Sequence, residues 1–124
     1  MITKTHAIKE TLDDTKSLIT LLDEKKSVDP IILDVSFETA FCDFFVIASG
    51  QSFTHLQSLE QYCEEFLESK GYIKRNPRNS VPENPWILLD FSDIVVHLFI
   101  KEAREFYHLE NLWFDSRKIT LKDL

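Results

Sequence analysis

Glycine is nearly absent from this chain, with two in 124 residues. A phosphate-cradling loop needs several glycines so that backbone can approach an anion closely, so a Gly-rich loop of that kind is excluded. Cysteine is equally scarce. Cys42 and Cys63 show no Cys-x-x-Cys or Cys/His ligand spacing, which gives neither a disulfide framework nor a zinc site, and both read as buried thiols. No apolar run approaches the ~18–20 residues that cross a bilayer, and the leading Met-Ile-Thr-Lys-Thr-His lacks the apolar core of a secretory signal. The expectation is a cytoplasmic protein without membrane contact. Basic residues are in deficit as well: 14 Lys and Arg face 21 Asp and Glu, for a net charge of -7. That balance argues against a protein that tracks a nucleic-acid backbone, DNA included, and points toward a basic partner.

What is present is an ordinary globular composition, 44% hydrophobic and 28% charged, with ten Phe, three Tyr and two Trp. The length suits one domain over residues 1–124, with a core from about 5 to 115 and a polar tail over 116–124. The excess charge is concentrated. Residues 27–69 hold eight acids and no Lys or Arg, whereas residues 70–85 carry four bases against one acid. The acidic stretch reads either as a solvated face or as a docking surface for something basic.

Ile8, Leu12, Thr15, Ile19 and Leu22 recur at helical spacing and predict a helix over residues 3–26. Ile31, Leu33 and Val35 alternate as one face of a short strand, and Phe44 to Ala48 is apolar on both faces, the pattern of a central strand. Ser52 is placed to cap a second helix, with Gly50 supplying an unusual backbone conformation before it and Gly71 a left-handed end. In that helix Leu56, Leu59, Cys63, Phe66 and Leu67 form the buried stripe, and Glu60, Glu64, Glu65 and Glu68 the outer surface. Residues 74–85, rich in Pro and Asn, read as a surface loop. Two strands, 86–91 and 94–100, flank Ser92-Asp93 and should pair antiparallel as a hairpin. A short helical or turn-rich segment follows over 101–114, and the residues beyond it add little. Two helices against a mixed sheet of four to five strands make an α/β sandwich.

Chemistry-bearing residues are few. Ser49-Gly50-Gln51-Ser52 reads as a capped turn or, less completely, as a phosphate site with only one glycine. Asp90 and Asp93 read as strand and turn residues, with Asp93 tolerating the unusual turn angles, or as a metal-binding pair. His97 shares a strand face with Val95 and Phe99; it is either a bonded core histidine or a partner contact able to titrate near neutrality. No metal or cofactor is called for. The aromatics near the C-terminal half, Trp86, Phe106, Tyr107 and Trp113 among them, exceed what one helix face buries, so core packing and an interaction surface compete for them.

Three blocks carry a resemblance: Asp43-Phe44-Phe45-Val46-Ile47-Ala48-Ser49-Gly50-Gln51-Ser52, the stretch Trp86 to Phe99, and Arg104-Glu105-Phe106-Tyr107-His108-Leu109-Glu110-Asn111-Leu112-Trp113. In order and spacing they resemble the signature blocks of the ribosomal silencing factor (RsfS, or Iojap) family. The resemblance implies a nucleotidyltransferase-like α/β fold without the catalytic carboxylates, and a non-enzymatic protein that is a homodimer when free. It implies a repressor that binds the large ribosomal subunit at ribosomal protein fourteen and blocks joining of the small subunit. Organellar relatives are linked to large-subunit assembly, which remains an alternative, as does a nucleotide-binding or nucleotidyltransferase enzyme of the same fold. The chain departs from the family pattern in residues 78–85 and at Ser92, where glycine is usual. On this basis the expected partner contacts are Trp86, Leu88, Phe91, Tyr107, Leu109 and Trp113 as buried anchors, Asp90 as a charge for Lys or Arg, and Glu105 and Glu110 as rim charges.

Overall fold

Helical spacing of apolar residues near the N-terminus produces α1, Ile8–Glu24, which buries Leu18, Ile19 and Leu22 together with Thr11 and Thr15. The Thr15 hydroxyl donates to the Thr11 carbonyl at 2.6 Å, so this buried polar group is satisfied within the helix. The computed structural model describes residues 8–77, 82–107 and 116–124, with backbone alone at 106 and 107. Ile8, expected in the stripe, is 52% exposed at the helix start. Lys26, at φ 70°, turns the chain out of α1 into β1, Val28–Asp34. There follow β2, Phe44–Gly50, α2, Phe53–Ser69, the hairpin of β3, Trp86–Asp90, and β4, Ile94–Ile100, then α3, Lys101–Tyr107, and β5, Arg117–Thr120.

The five strands order as β3-β4-β2-β1-β5. β2 sits at the centre, paired parallel with β4 and antiparallel with β1, which is why its residues are apolar on both faces. α1 and α2 cover one side. There Ile32, Val46, Ala48, Leu89, Val96 and Leu98 meet Leu18, Leu22, Leu56, Leu59 and Leu67 in the main core. Ile31, Leu33, Val35, Cys42, Ile47 and Phe99 point the other way, into a smaller cluster on which only Ala103 of α3 packs from a helix among the described residues. Among the described residues this second side is the open face.

The ends of α2 follow the sequence closely. Ser52 is extended and its Oγ accepts the His55 N–H at 3.0 Å. Gly71 is left-handed at φ 92°, and the Tyr72 N–H reaches back to the Leu67 carbonyl at 3.0 Å, closing the helix. Gly50 has a different reason from the one expected. Its backbone is not left-handed; a Cβ there would lie 3.1 Å from the Leu56 nitrogen and 3.2 Å from its Cα, so glycine is needed for space under the first turn of α2. Gly50→Ala should cost about 1–3 kcal/mol through displacement of that turn, read as a lower urea midpoint. An unchanged midpoint would mean that the turn yields without cost.

Two further expectations are corrected. Glu60 is buried, at 7% exposure, because it lies four residues after Leu56 and three before Cys63 and so falls on their stripe. The C-terminal residues are part of the sheet: β5 pairs antiparallel with β1, Ile119 is buried in the main core, and Asp123 accepts from the Thr120 N–H at 2.8 Å to end the strand.

Candidate functional site on the open face of the sheet

Strand alternation divides the hairpin. Ile87, Leu89 and Phe91 face the helices, and Trp86, Leu88 and Asp90 face outward, opposite Phe99, His97 and Val95 of β4. Trp86 stacks on Phe99 at a centroid distance of 5.0 Å, and its Nε1–H donates to His97 Nδ1 at 3.2 Å. Phe45 meets His97 edge-on at 4.8 Å. Half-buried Phe45, Trp86 and Val95 and exposed Leu88 thus form an apolar patch over a buried imidazole.

Because Nδ1 accepts from the indole, the proton of neutral His97 is on Nε2, which is buried and has no partner among the described residues. Burial pushes the imidazole pKa down to about 4, so the ring is uncharged at neutral pH. The histidine is therefore a bonded part of the wall beneath the patch. It is not the near-neutral switch that was the other reading of it.

Asp90 lies at the hairpin end of the patch. Its Oδ1 accepts the Ser92 N–H at 2.9 Å and supports the turn, where Ser92 is left-handed at φ 71°. Serine thus carries the strain expected of a non-glycine residue at this turn position, while Asp93 does not take the unusual angles; the carboxylate bond offsets a strain of about 1 kcal/mol that glycine would not incur. The outer edge of β3 is closed. Asn76 donates to the Leu88 carbonyl at 2.7 Å and accepts the Asp90 N–H at 2.9 Å, and the Arg75 N–H donates to the Asp90 carbonyl at 2.7 Å. No further strand can add there while residues 75 and 76 hold those groups.

The structure therefore brings Trp86, Leu88 and Asp90 together on one face. Phe91, expected as a contact, is 2% exposed within the main core; the period-two alternation that buries Leu89 buries it as well. Glu105 is exposed on α3 and lines a separate cavity beside Arg104 and Lys118. Tyr107 ends α3, and its side chain, together with Leu109, Glu110 and Trp113, lies outside the described residues.

Two aromatics escaped the sequence reading. Phe37 and Phe41, in the loop joining β1 to β2, are 93% and 91% exposed. The loop is nonetheless well bonded, since Glu38 and Thr39 N–H groups donate to the Val35 carbonyl at 3.0 Å and the Asp34 carboxylate accepts from Ser36. The Asp43 N–H donates to the Asp93 carbonyl at 2.9 Å, placing the loop beside the hairpin turn. Spacing alone hides Phe37, which continues the alternation of Ile31, Leu33 and Val35 and would be read as buried, but β1 ends at Asp34 and the alternation no longer holds beyond Val35.

Cys42 and Cys63 are buried thiols outside any disulfide, and burial pushes the Cys63 thiol up, with Glu64 and Glu60 adding to the effect. Among the described residues no three His, Cys, Asp or Glu side chains converge as metal ligands, and no helix is long and apolar enough to cross a membrane.

Comparison with known proteins gives a consistent set of relatives. A family model described as "Ribosomal silencing factor during starvation" matches residues 8–124. The chain is 30% identical over 105 residues to the ribosomal silencing factor RsfS of Halalkalibacterium halodurans, covering 84% of this chain and 88% of that one. It is 32% identical over 105 residues to the mouse protein named for mitochondrial assembly of the ribosomal large subunit, covering 81% of this chain but 45% of that protein. A crystal structure of a Chromobacterium violaceum protein superposes with a TM-score of 0.74 at 28% identity, covering 83% of this chain and 85% of that one. One from Bacillus halodurans gives 0.69 at 28% identity, over 91% and 99% of the two chains.

Proposed function

The chain belongs to the ribosomal silencing factor family, and on that premise we propose that it represses translation by docking its open sheet face on the large ribosomal subunit, at ribosomal protein fourteen. Seated there it keeps the small subunit from joining. The observation that carries this reading is the apolar patch of Trp86, Leu88, Phe45 and Val95, a partly exposed surface on the side of the sheet that α1 and α2 leave open. Patches of this kind, rich in Trp and aliphatic residues with a polar rim, are what protein interfaces use.

Docking requires no catalysis. The Asp90 carboxylate supports the hairpin turn, and the acids of residues 27–69 supply steering toward a basic protein surface. In the cytoplasm and off the ribosome the protein pairs with a second copy through the same face, because the β3 edge is closed and β5 presents Arg117 and Lys118 at the other edge. An assembly role would use the same contacts at an earlier time, in keeping with the name of the mouse relative; precursor-subunit profiles in a deletion strain separate the two. Calorimetry with ATP, GTP and magnesium tests the enzymatic alternative, for which saturable micromolar binding would be required.

Cosedimentation with purified large subunits at moderate salt is the direct test, and retention no greater than that of a control acidic protein would overturn the reading. Phe37 and Phe41 extend the contact beyond the hairpin turn. The double variant Phe37→Ser, Phe41→Ser should bind about 30-fold more weakly, since each of the two rings can add on the order of 1 kcal/mol when covered. Its thermal midpoint should equal that of the parent, because both rings are already in solvent. Unchanged retention would remove the loop from the interface.

A further inference from the structure

The scarce basic residues are not scattered. Five of the 14, Lys26, Lys101, Arg104, Lys118 and Lys122, line two adjoining cavities of about 310 and 690 Å³. The cavities share Val28, Asp29, Ile31 and Lys118, and so form one groove where α3 and β5 meet the start of β1. Among the described residues, Asp23, Asp29 and Glu105 are the acids along it, so the described lining carries a positive excess in a protein whose total is -7.

The floor of this groove is built. Asp29 is left-handed at φ 46° inside β1, and the pairing with β2 slips between Val28 and Ile31. Such a bulge turns backbone carbonyls out of the ladder. Arg104 collects them: its Nη1 donates to the Val28 carbonyl at 3.0 Å, to the Asp29 carbonyl at 2.7 Å and to Ser49 Oγ at 3.2 Å. With the arginine held in the floor, Lys26, Lys101, Lys118 and Lys122 are exposed, and no ion pair holds them among the described residues. Ser27, which also lines the groove, is 91% buried by its 9% exposure, and its hydroxyl has no hydrogen-bond partner among the described residues.

We propose that this lysine-lined groove between α3, β1 and β5 binds phosphate groups of an RNA strand. The inference rests on the docking reading above and deepens it: with the apolar half of the open face on a ribosomal protein, the basic half reaches adjacent RNA of the same subunit. Lysine suits this task as a mobile point charge for successive phosphates that need no base recognition. Apart from Asp29, the acids of residues 27–69 are not among the groove's lining residues and keep RNA from binding elsewhere on the molecule, so the groove sets the register in which RNA approaches.

The test compares Lys101→Gln, Lys118→Gln with Lys9→Gln, Lys70→Gln, a pair of equal charge change outside the groove. In cosedimentation across a salt series the groove variant should lose about two from the slope of log affinity against log salt relative to the control pair. Equal slopes for the two pairs overturn the inference. Independently of ribosomes, a twelve-residue oligouridylate should shift the backbone amide signals of Asp29, Ser49, Lys101 and Lys118 in the parent and not in the groove variant. No shift overturns the inference, as do shifts produced by ATP or oligoglutamate but not by the oligonucleotide. If the parent does not sediment with large subunits, the docking reading fails, and the oligonucleotide titration still decides the groove.

Discussion

Leu88→Asp should lower affinity for the large subunit about 100-fold while leaving the fold intact. Leu88 is 42% exposed at the middle of β3, with His97 opposite it in the pairing and the half-buried Trp86 and Asp90 on the same face. An aspartate there costs the free protein little, because the carboxylate stays in water. In the docked state the same carboxylate loses its water at the centre of an apolar contact, which costs about 3 kcal/mol or more when no cation meets it. A second copy should be rejected for the same reason, so the variant should sediment as a monomer at concentrations where the parent dimerises. Retained ribosome binding with a normal melting curve would remove the β3 face from the interface. Trp86→Ala is a less clean probe, since it also removes the indole N–H that His97 accepts.

Acid should destabilise this protein by about 3 kcal/mol through His97 alone. The folded-state pKa of about 4 lies below the ordinary 6.5 because burial penalises the charged ring, and each pH unit of separation is worth about 1.4 kcal/mol. The unfolded chain therefore binds the proton more readily across this range. The stability from neutral His97 is complete above pH 6.5, falls as the pH drops from 6.5 toward 4, and is gone below about 4. Protonation at Nδ1 also breaks the Trp86 bond and puts a cation among Phe45, Trp86 and Phe99. Urea unfolding at a series of pH values should show the parent losing stability over this window, and His97→Gln losing about 3 kcal/mol less. Parallel curves for the two proteins would mean that the ring is solvated or paired in the folded state. Below pH 4 the carboxylates contribute as well, so the difference between the curves is the measure.

The fold was legible where residues repeat with a period. Leu18, Ile19 and Leu22, the doubly apolar run from Phe44 to Ala48, and the hairpin about Ser92 needed only spacing to be placed. The same rule, applied to the end of β3, separates Phe91 from Leu88; reading Phe91 as an anchor gave its ring more weight than its position. Glu60 shows the reverse case, a charge on a buried stripe, where composition misleads and helical spacing does not. β5 was missed because Arg117-Lys118-Ile119-Thr120 has one apolar residue, which suffices for an edge strand with one covered face. The three sequence blocks carried the family, but of the nine contacts drawn from them, Trp86, Leu88 and Asp90 are the ones gathered on one described face.

By itself the sequence determined the two helices, the central strand, the caps at Ser52 and Gly71, and the concentration of acid over residues 27–69. Those are local properties, set by the period of burial and the backbone needs of single residues. Only the tertiary structure decided which residues share a surface. The parallel pairing of β2 with β4 puts Phe45 beside Val95 and brings its ring against His97, and the pairing of β5 with β1 carries Lys118 to the groove where Lys101 and Arg104 arrive from α3. Residues so distant in sequence become neighbours through strand register, and no local pattern encodes a register between strands that a helix or a long loop separates.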